Sequence, residues 1–464
     1  MKLKIILLPR KLLSRPIPYW NIGSIVANIK DKCRKIKLID LETLNFERKK
    51  YDIFFRKFKA IDIFKKNNFY FLQTLIKDIG STNYDIFHFY IDWWNETLPM
   101  AIALGQQIKR FNDKTKILLS GAYLNAYGKE ILNRFRFIDY IAVSEIEPVF
   151  ENLLGSFSSL KKVPNIIYFN KEKNKIVETK KEVTDLDNLL FPDFDLFFLD
   201  GLPRPEILPF RISRGCKYRC FFCACLTDEK LRFYRNIDIA VSRLINYKSR
   251  YNVKNFYFDD DALNFNNNYL ESFLDKLIKA RIKIKWSAYF IPKDLSFNLL
   301  EKIKKSGCIH IRWGIESVNP YISRIISKNI SIPNAEKILR DSSNLGISNQ
   351  TSFIVGFPYE KEGNVSLIKK FILKNRNYLK VINVYTFKPR VGTLANKFPA
   401  SFGIKVLKDK TIFKNDEVPF EETNGLKWES KRIKQQLFLR EINGFIKRSG
   451  LINMDPHEYF KQII

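Results

Sequence analysis

Between Met1 and about Leu154, short apolar runs alternate with amphipathic stretches in which apolar residues return every three or four positions. That alternation predicts a mostly parallel sheet flanked by helices. Lys4 to Leu8, Asp85 to Ile91, Lys116 to Leu119 and Ile138 to Val143 read as strands. Ile22 to Ile29, Leu98 to Phe111 and Pro148 to Leu154 read as helices, with Gly121 and Gly128 at turns. Residues 1–154 are therefore expected to form a doubly wound, Rossmann-like α/β domain.

The periodicity then fades. Residues 155–205 carry the charge-rich segment Lys171 to Lys181 and then Pro192, Pro203 and Pro205, the pattern of a linker wrapped on the surface. From Leu208 onward six strand candidates alternate with helix candidates at the spacing of β/α units. The strands are Leu208 to Ser213, Asn255 to Phe258, Ile284 to Tyr289, Ile309 to Trp313, Thr351 to Val355 and Val381 to Phe387. Helices are expected near Ile237 to Lys248, Tyr269 to Ala280, Asn298 to Lys305, Ala335 to Leu345 and Val365 to Asn375. Six units over residues 206–402 predict a partial barrel, short of the eight of a closed one. Residues 403–464 read as an irregular segment followed by a basic helix, Glu429 to Lys447, and a short tail.

Composition fits this division. A chain of 464 residues exceeds what one core usually serves, and 45% hydrophobic with 14% aromatic residues is ample material for packed cores. No apolar run approaches the ~18 residues of a membrane span. Pro9, Arg10 and Lys11 cut short the run Ile5 to Leu8, so the start reads as a strand and not as a signal peptide. A net charge of +31, from 80 Lys and Arg against 49 Asp and Glu, would ordinarily suggest a polyanionic partner. Here the basic residues are dispersed, as at Lys57, Lys65, Lys109, Lys369 and Lys380, and Lys, Ile, Asn and Phe are abundant together, as an AT-rich genome produces. A solvated surface is the favoured reading over a nucleic-acid footprint.

Six cysteines in so long a chain, three of them between positions 216 and 223, suggest metal ligands in a reducing compartment, and the cytoplasm is the expected location. The segment runs Arg211-Ile-Ser-Arg-Gly-Cys216-Lys-Tyr-Arg-Cys220-Phe-Phe-Cys223. Thiolates so close in sequence can wrap one compact centre from a single loop, and three ligands for four irons leave one iron open. A tetrahedral zinc site completed by Cys225 is the alternative. Its four ligands would fall within ten residues, whereas structural zinc sites split theirs between two separated pairs. Cys33 and Cys308, being isolated, suit small buried hydrophobes.

The Cys-x3-Cys-x2-Cys motif, with the aromatic Phe222 before its third cysteine, resembles that of the radical S-adenosylmethionine (SAM) superfamily, and the resemblance covers about Pro209 to Arg390. Further motifs follow the predicted strands: Asp260 and Asp261 after the second, Gly314-Ile-Glu316-Ser317 after the fourth, Gly356-Phe-Pro after the fifth, and Lys388-Pro389-Arg-Val-Gly-Thr393 after the sixth. In parallel β/α architectures the loops at strand carboxyl ends converge and build the site. Phe222, Asp260, Asp261, Gly314, Glu316, Ser317, Gly356 and Pro389 are therefore candidates for cofactor binding. The resemblance implies a four-iron four-sulfur cluster on Cys216, Cys220 and Cys223 whose open iron chelates the amino and carboxylate groups of SAM. It further implies one-electron cleavage of SAM to a 5′-deoxyadenosyl radical, and an electron donor such as a flavodoxin or ferredoxin. Only three histidines, His88, His310 and His457, are present, which suits a reaction whose hard chemistry belongs to the cofactors. His310 lies within a strand and reads as a barrel-lining residue.

The first region resembles the cobalamin-binding domains that precede many radical SAM cores. The likeness rests on Pro16-Ile-Pro-Tyr19-Trp-Asn-Ile-Gly23, Ser120-Gly-Ala122, Phe137-Ile-Asp-Tyr-Ile141 and Ser144-Glu145-Ile-Glu-Pro148. It implies a cobalamin cleft among loops around Tyr19, Trp93, Gly121 and Glu145. The chain departs from that family where a double glycine is reduced to Gly121, where Gly-Glu-Gly-Glu becomes Ser144-Glu145-Ile146-Glu147, and in lacking the Asp-x-His-x-x-Gly that offers cobalt a histidine. Two functions follow: a cobalamin-dependent methyltransferase acting on an unactivated carbon of a small molecule, lipid or peptide, or a radical SAM enzyme whose first domain only recognises substrate. A tRNA methylthiotransferase should bring a second cysteine trio in its first domain, where only Cys33 stands; a zinc-binding protein without activity is the remaining class.

Replacing Cys216, Cys220 or Cys223 by Ala should each abolish cluster binding and SAM cleavage, because the cluster is left under-ligated. Cys225→Ala should do neither. Iron analysis and 5′-deoxyadenosine measurement on the four variants check this, and full iron in any of the first three overturns the ligand assignment.

Overall fold

The computed structural model describes residues 1–9, 16–52, 54, 60–65, 68–80, 83–91, 97–153, 159–198, 204–223, 231–407 and 418–464. Two compact units divide the chain, the first ending at Pro205 and the second beginning at Glu206. Among the described residues no helix is long and apolar enough to cross a membrane.

The first unit is built on a sheet of seven strands: β1 (Lys2–Leu7), β2 (Lys35–Asp40), β3 (Ile86–Tyr90), β4 (Lys116–Ser120), β5 (Tyr140–Ala142), β6 (Ile166–Asn170) and β7 (Lys175–Glu178), in the order β2-β1-β3-β4-β5-β6-β7. β1 to β5 are parallel, and β6 and β7 extend the sheet antiparallel. The central strands β1, β3 and β4 are buried along almost their whole length, as strands covered on both faces must be. Helices Trp20–Ile29, Leu98–Phe111, Leu124–Arg134 and Glu147–Leu153 lie between the strands in sequence, so the doubly wound expectation holds. The strand order reverses between β1 and β3, which makes their carboxyl ends the place where such folds bind ligands.

Two sequence expectations change here. β2 escapes the apolar-run criterion because it is an edge strand whose Lys35 and Lys37 face outward or half-outward while only Leu38 and Ile39 are buried. The segment 155–205, expected as a linker, contributes β6 and β7, a hairpin whose turn ends on Asn174 in the left-handed region at φ 45°. Its lysines sit on the turn and the outermost strand, so they mask a strand pattern instead of marking a linker. Further along, the Asp193 amide donates to the Gly23 carbonyl at 2.8 Å, tying this segment to helix Trp20–Ile29.

The second unit centres on six parallel strands. They are β8 (Ile207–Phe210), β11 (Asn255–Phe258), β12 (Lys285–Phe290), β13 (Cys308–Glu316), β14 (Ser348–Val355) and β15 (Val381–Thr386), in simple sequential order across the sheet. Two short strands, β9 (Ser213–Arg214) and β10 (Arg232–Phe233), pair beside the barrel between β8 and β11. Helices Ile237–Tyr251, Asn267–Lys279, Phe297–Lys305, Ile332–Asn344 and Gly363–Asn375 follow the first five barrel strands as the sequence predicts. Polar caps start several of them: Asn236, Asn266 and Ser296 each accept a backbone amide of the first turn.

The C-terminal extension is not a free tail. A hairpin of β16 (Ile404–Val406) and β17 (Phe420–Glu422) leads into the helix Trp428–Arg448. Lys431 on that helix is buried and donates to Glu422 and to the Phe357 carbonyl, both at 2.6 Å. The last residues close the amino-terminal end of the barrel. Ile452 bridges to Val381, Tyr459 shares a hydrogen bond of 2.7 Å with Ser348, and the His457 ring sits edge-on to Tyr257 at 4.4 Å.

Candidate active site

β8 delivers the chain to the cysteine loop, and the end of β11 holds that loop in place. The Asp260 carboxylate accepts the Ser213 amide at 2.6 Å and the Ile212 amide at 3.1 Å, and also the Ser213 hydroxyl. Burial nonetheless pushes this carboxyl up to about 7, against those bonds and Arg211. Asp259 beside it pairs with Arg211. Asp260 is therefore committed to the loop backbone, while Asp261 places negative charge near Cys216.

Gly215 turns the chain at φ 79° immediately before Cys216. A turn in which the Cys223 amide donates to the Cys220 carbonyl at 3.0 Å brings the second and third cysteines round. Cys220 is buried, and Cys216 and Cys223 are half-buried. The loop is fixed from behind by aromatic packing: Phe221 stacks on Phe402 at 4.5 Å and leans on Phe387 and Phe357, and its carbonyl accepts the Ala395 amide. Phe222 lies edge-on to Phe357 at 6.1 Å.

Burial pushes the Cys216 thiol up to about 11 and the Cys220 thiol up to about 12. Cys223 adds to the rise of both, Cys216 adds to that of Cys220, and Lys328 opposes them. Bound iron deprotonates such thiols outright. Three thiols on one loop, in a half-apolar recess with a lysine beside them, fit an anionic iron–sulfur centre. Among the described residues no three His, Cys, Asp or Glu side chains close on a single metal ion. Cys225, which the zinc alternative needs, lies outside the described residues.

Glu316 occupies the end of β13, past a register shift against β14, with its backbone left-handed at φ 63°. A non-glycine residue holds that conformation only where its surroundings fix it. Here Oε1 accepts Lys328 Nζ and the Tyr289 hydroxyl, both at 2.8 Å, and Oε2 accepts the Ser352 hydroxyl at 3.2 Å. Lys328 Nζ also donates to the Gly314 carbonyl at 2.9 Å. Burial alone would lower Lys328, but Glu316 and then Cys220 hold it above its ordinary value. Burial raises the Tyr289 phenol well above its ordinary value, and Glu316 adds to the rise. Gly314 is required by this cluster: a Cβ there would stand 2.2 Å from the Tyr289 hydroxyl and 2.7 Å from Lys328 Nζ.

The other candidates have local partners. Ser317 is buried and its hydroxyl accepts the Asn319 amide at 3.2 Å. Gly356, at φ 77°, gives room to the Gln435 side chain, whose Cγ would lie 2.2 Å from an added Cβ, and its amide donates to Glu360. The Pro389 carbonyl accepts Asn396 at 3.1 Å in the turn after β15. Thus Cys216, Cys220, Cys223, Phe222 and Glu316 share one mouth through Lys328, whose ammonium lies 6.0 Å from the Phe222 ring. Lys328, Tyr289 and Ser352 were missed by the sequence reading. Nothing in the periodicity separates Lys328 from the other basic residues, although its place twelve residues after Glu316 is a usable signal.

In the first unit, Tyr19 lies 4.7 Å from Tyr90, at the strand-order reversal, and its hydroxyl donates to Glu42 at 2.9 Å. A cavity of about 310 Å³ beside it is lined by Pro16, Pro18, Asp40, Glu42 and Thr43 among others. Gly121 has φ 127°, and a Cβ would fall 1.7 Å from the Ile91 carbonyl oxygen, so only glycine fits. Ser144 keeps the left-handed conformation at φ 59° that glycine adopts readily, with the Asn125 side chain accepting its amide at 2.7 Å. Glu145 is buried and accepts the Thr184 amide. His88 lies inside β3 against Ser120 at 2.6 Å, and burial pulls it down to about 3. Trp93 lies outside the described residues.

Residues 210–372 match the sequence profile of the radical SAM superfamily. An uncharacterized methyltransferase of Pyrococcus horikoshii is 22% identical over 281 residues, covering 59% of this chain and 61% of its own length. The ribosomal-protein methylthiotransferase RimO of Synechocystis is 25% identical over 46% of this chain and 50% of its own. The chain thus spans between half and three fifths of these relatives. Among solved structures, the radical SAM methyltransferase TsrM of Kitasatospora setae, with tryptophan and a SAM analogue bound, superposes with a TM-score of 0.66 at 13% identity, over 89% of this chain and 79% of TsrM. The cobalamin-dependent SAM radical enzyme OxsB superposes at 0.60 with 15% identity, over 80% of this chain and 51% of OxsB. The last two likenesses concern the fold.

A buried ion pair broken on one side costs about 3–5 kcal/mol, since the surviving charge is left uncompensated. Glu316→Gln and Lys328→Met should therefore each destabilise the second unit by about that much, and the double variant by clearly less than the sum. Denaturant unfolding of the four proteins checks the coupling; simple additivity would contradict it.

Proposed function

We propose that this chain, whose residues 210–372 form a radical SAM domain, is a cobalamin-dependent radical SAM methyltransferase acting on an unactivated carbon. The observation that carries the reading is the convergence of the three cysteine thiols with the Glu316, Lys328 and Tyr289 network at one barrel mouth. When bound, the cluster and SAM supply reductive cleavage of the sulfonium to a 5′-deoxyadenosyl radical.

The chain's own residues position and shield. Cys216, Cys220 and Cys223 would hold the cluster, with the aromatic packing of Phe221 and Phe222 keeping water from its inner side. Glu316 presents a carboxylate acceptor for the hydroxyls or ammonium of SAM, oriented by Lys328, Tyr289 and Ser352. Asp260 fixes the loop that carries the first thiolate. An electron donor of the flavodoxin or ferredoxin kind would dock from solvent.

Cobalamin is supported by the parallel strand order of the first unit, by the cavity beside Tyr19, and by the left-handed backbone at Ser144, a conformation that glycine adopts readily. The buried Ile146 and the engaged Glu145 favour the alternative in which this unit only recognises substrate. A methylthiotransferase reading lacks the second cysteine trio, Cys33 being the single cysteine before Cys216.

Anaerobically reconstituted protein should carry about four irons per chain, release 5′-deoxyadenosine from SAM under reduction, and retain corrinoid absorbance after incubation with hydroxocobalamin and desalting. Iron and SAM cleavage without retained corrinoid would select the substrate-recognition alternative; absence of SAM cleavage would refute the reading altogether.

A further inference from the structure

Alternate residues of the barrel strands face its interior, and their contacts order them in layers. In the lower layer Ser287 meets His310 Nδ1 at 2.9 Å and Gln350 donates to Asn383. In the upper layer Tyr289 and Ser352 donate to Glu316. Between them stands Arg312, two positions above His310 on β13 and level with Tyr289 and Gln350 in register.

The guanidinium lies 4.8 Å from the centre of the Tyr257 ring and 5.5 Å from that of Tyr289. Its Nε is buried and bonded to nothing, and among the described residues no carboxylate forms an ion pair with it. The carboxylate it feels is Asp455, whose Oδ1 accepts the amides of His457 and Glu458 at the start of the last helix. A desolvated cation that forms no ion pair with the carboxylate it feels is only partly compensated, an arrangement rarely kept by a scaffold. Burial pulls Arg312 down to about 10, so it stays charged at neutral pH.

The lumen is open beside it. Tyr385, on the same face of β15 as Asn383, is 48% exposed. Burial pulls His310 down to about 3 and His457 to about 4, so both are neutral, and Lys328 is matched by Glu316. One partly compensated, planar, forked donor suits a monoanion with two oxygens better than a dianion. We propose that Arg312 anchors a carboxylate group of the substrate beneath the cofactor mouth. The proposal rests on the radical SAM reading of this barrel and deepens it by naming a substrate class, a carboxylic acid or a peptide bearing one.

The test is differential labelling of reconstituted full-length protein with phenylglyoxal, read at Arg312 by peptide mass spectrometry. Acetate should slow labelling of Arg312 several-fold, and acetamide should not. Equal labelling in acetate and acetamide overturns the proposal, as does protection by inorganic phosphate alone. Protection by SAM alone would instead assign the guanidinium to the cofactor's own carboxylate, and also overturns it. Arg312→Gln should melt within about 5 °C of the parent protein, because the ring contacts to Tyr257 and Tyr289 are lost but no ion pair is broken; a larger fall makes the residue scaffolding. Labelling does not depend on SAM cleavage, so acetate protection in a protein that forms no 5′-deoxyadenosine would sink the enzymatic reading and leave the anion site standing.

Discussion

The buried pair of Glu316 and Lys328, at 2.8 Å, is the interaction on which the rest of the site depends. Two charges withdrawn from water are tolerated only when their geometry is good and their remaining valences are satisfied. Tyr289, Ser352 and the Gly314 carbonyl satisfy them here, one from each of β12, β14 and β13. The pair therefore ties three strand ends together at one level. It also explains two irregularities of the chain, the glycine at 314 and the left-handed backbone at 316, as consequences of the space and direction that the network demands. Because Lys328 also feels Cys220 and Cys223, the same cation that orders Glu316 offsets the negative charge that bound thiolates would bring.

A second set of buried charges supports the mouth from outside the barrel. Lys431 and Glu422 belong to the C-terminal extension, and they grip the loop after β14 through the Phe357 carbonyl and the Tyr359 amide. Gln435 reaches the Gly356 and Phe387 carbonyls, joining the loops after β14 and β15. The aromatic cluster around Phe221 fills the space between these loops and the cysteine turn. Six parallel units leave a barrel open at its edge, and here an extension with its own ion pair stiffens the last two of them.

Much of this was legible in the sequence. The six barrel strands and the helices between them lie where the periodicity puts them, because buried parallel strands are apolar throughout and their covering helices are amphipathic. The cysteine motif is visible because its three thiols are close in sequence. What escaped depends on long-range contact. β2 and the hairpin β6–β7 are strands whose lysines face outward, so their sequences look like loops. Lys328 meets Glu316 only because a helix and a turn bring it back over the barrel. Gly356 reads as a ligand contact in sequence, yet Gln435, 79 residues away, takes the space beside it. Arg312 looks like any other strand arginine until its buried Nε is seen to have no hydrogen-bond partner.

The central claim is that the three cysteines hold a cluster with an open iron at the mouth where SAM binds. Electron paramagnetic resonance of the reduced, reconstituted protein, frozen with and without SAM, tests it most directly. The account predicts a reduced-cluster signal whose g-values and line shape change when SAM is added, because the cofactor ligates the open iron. A cluster signal indifferent to SAM, or no such signal from iron-loaded protein, would contradict it.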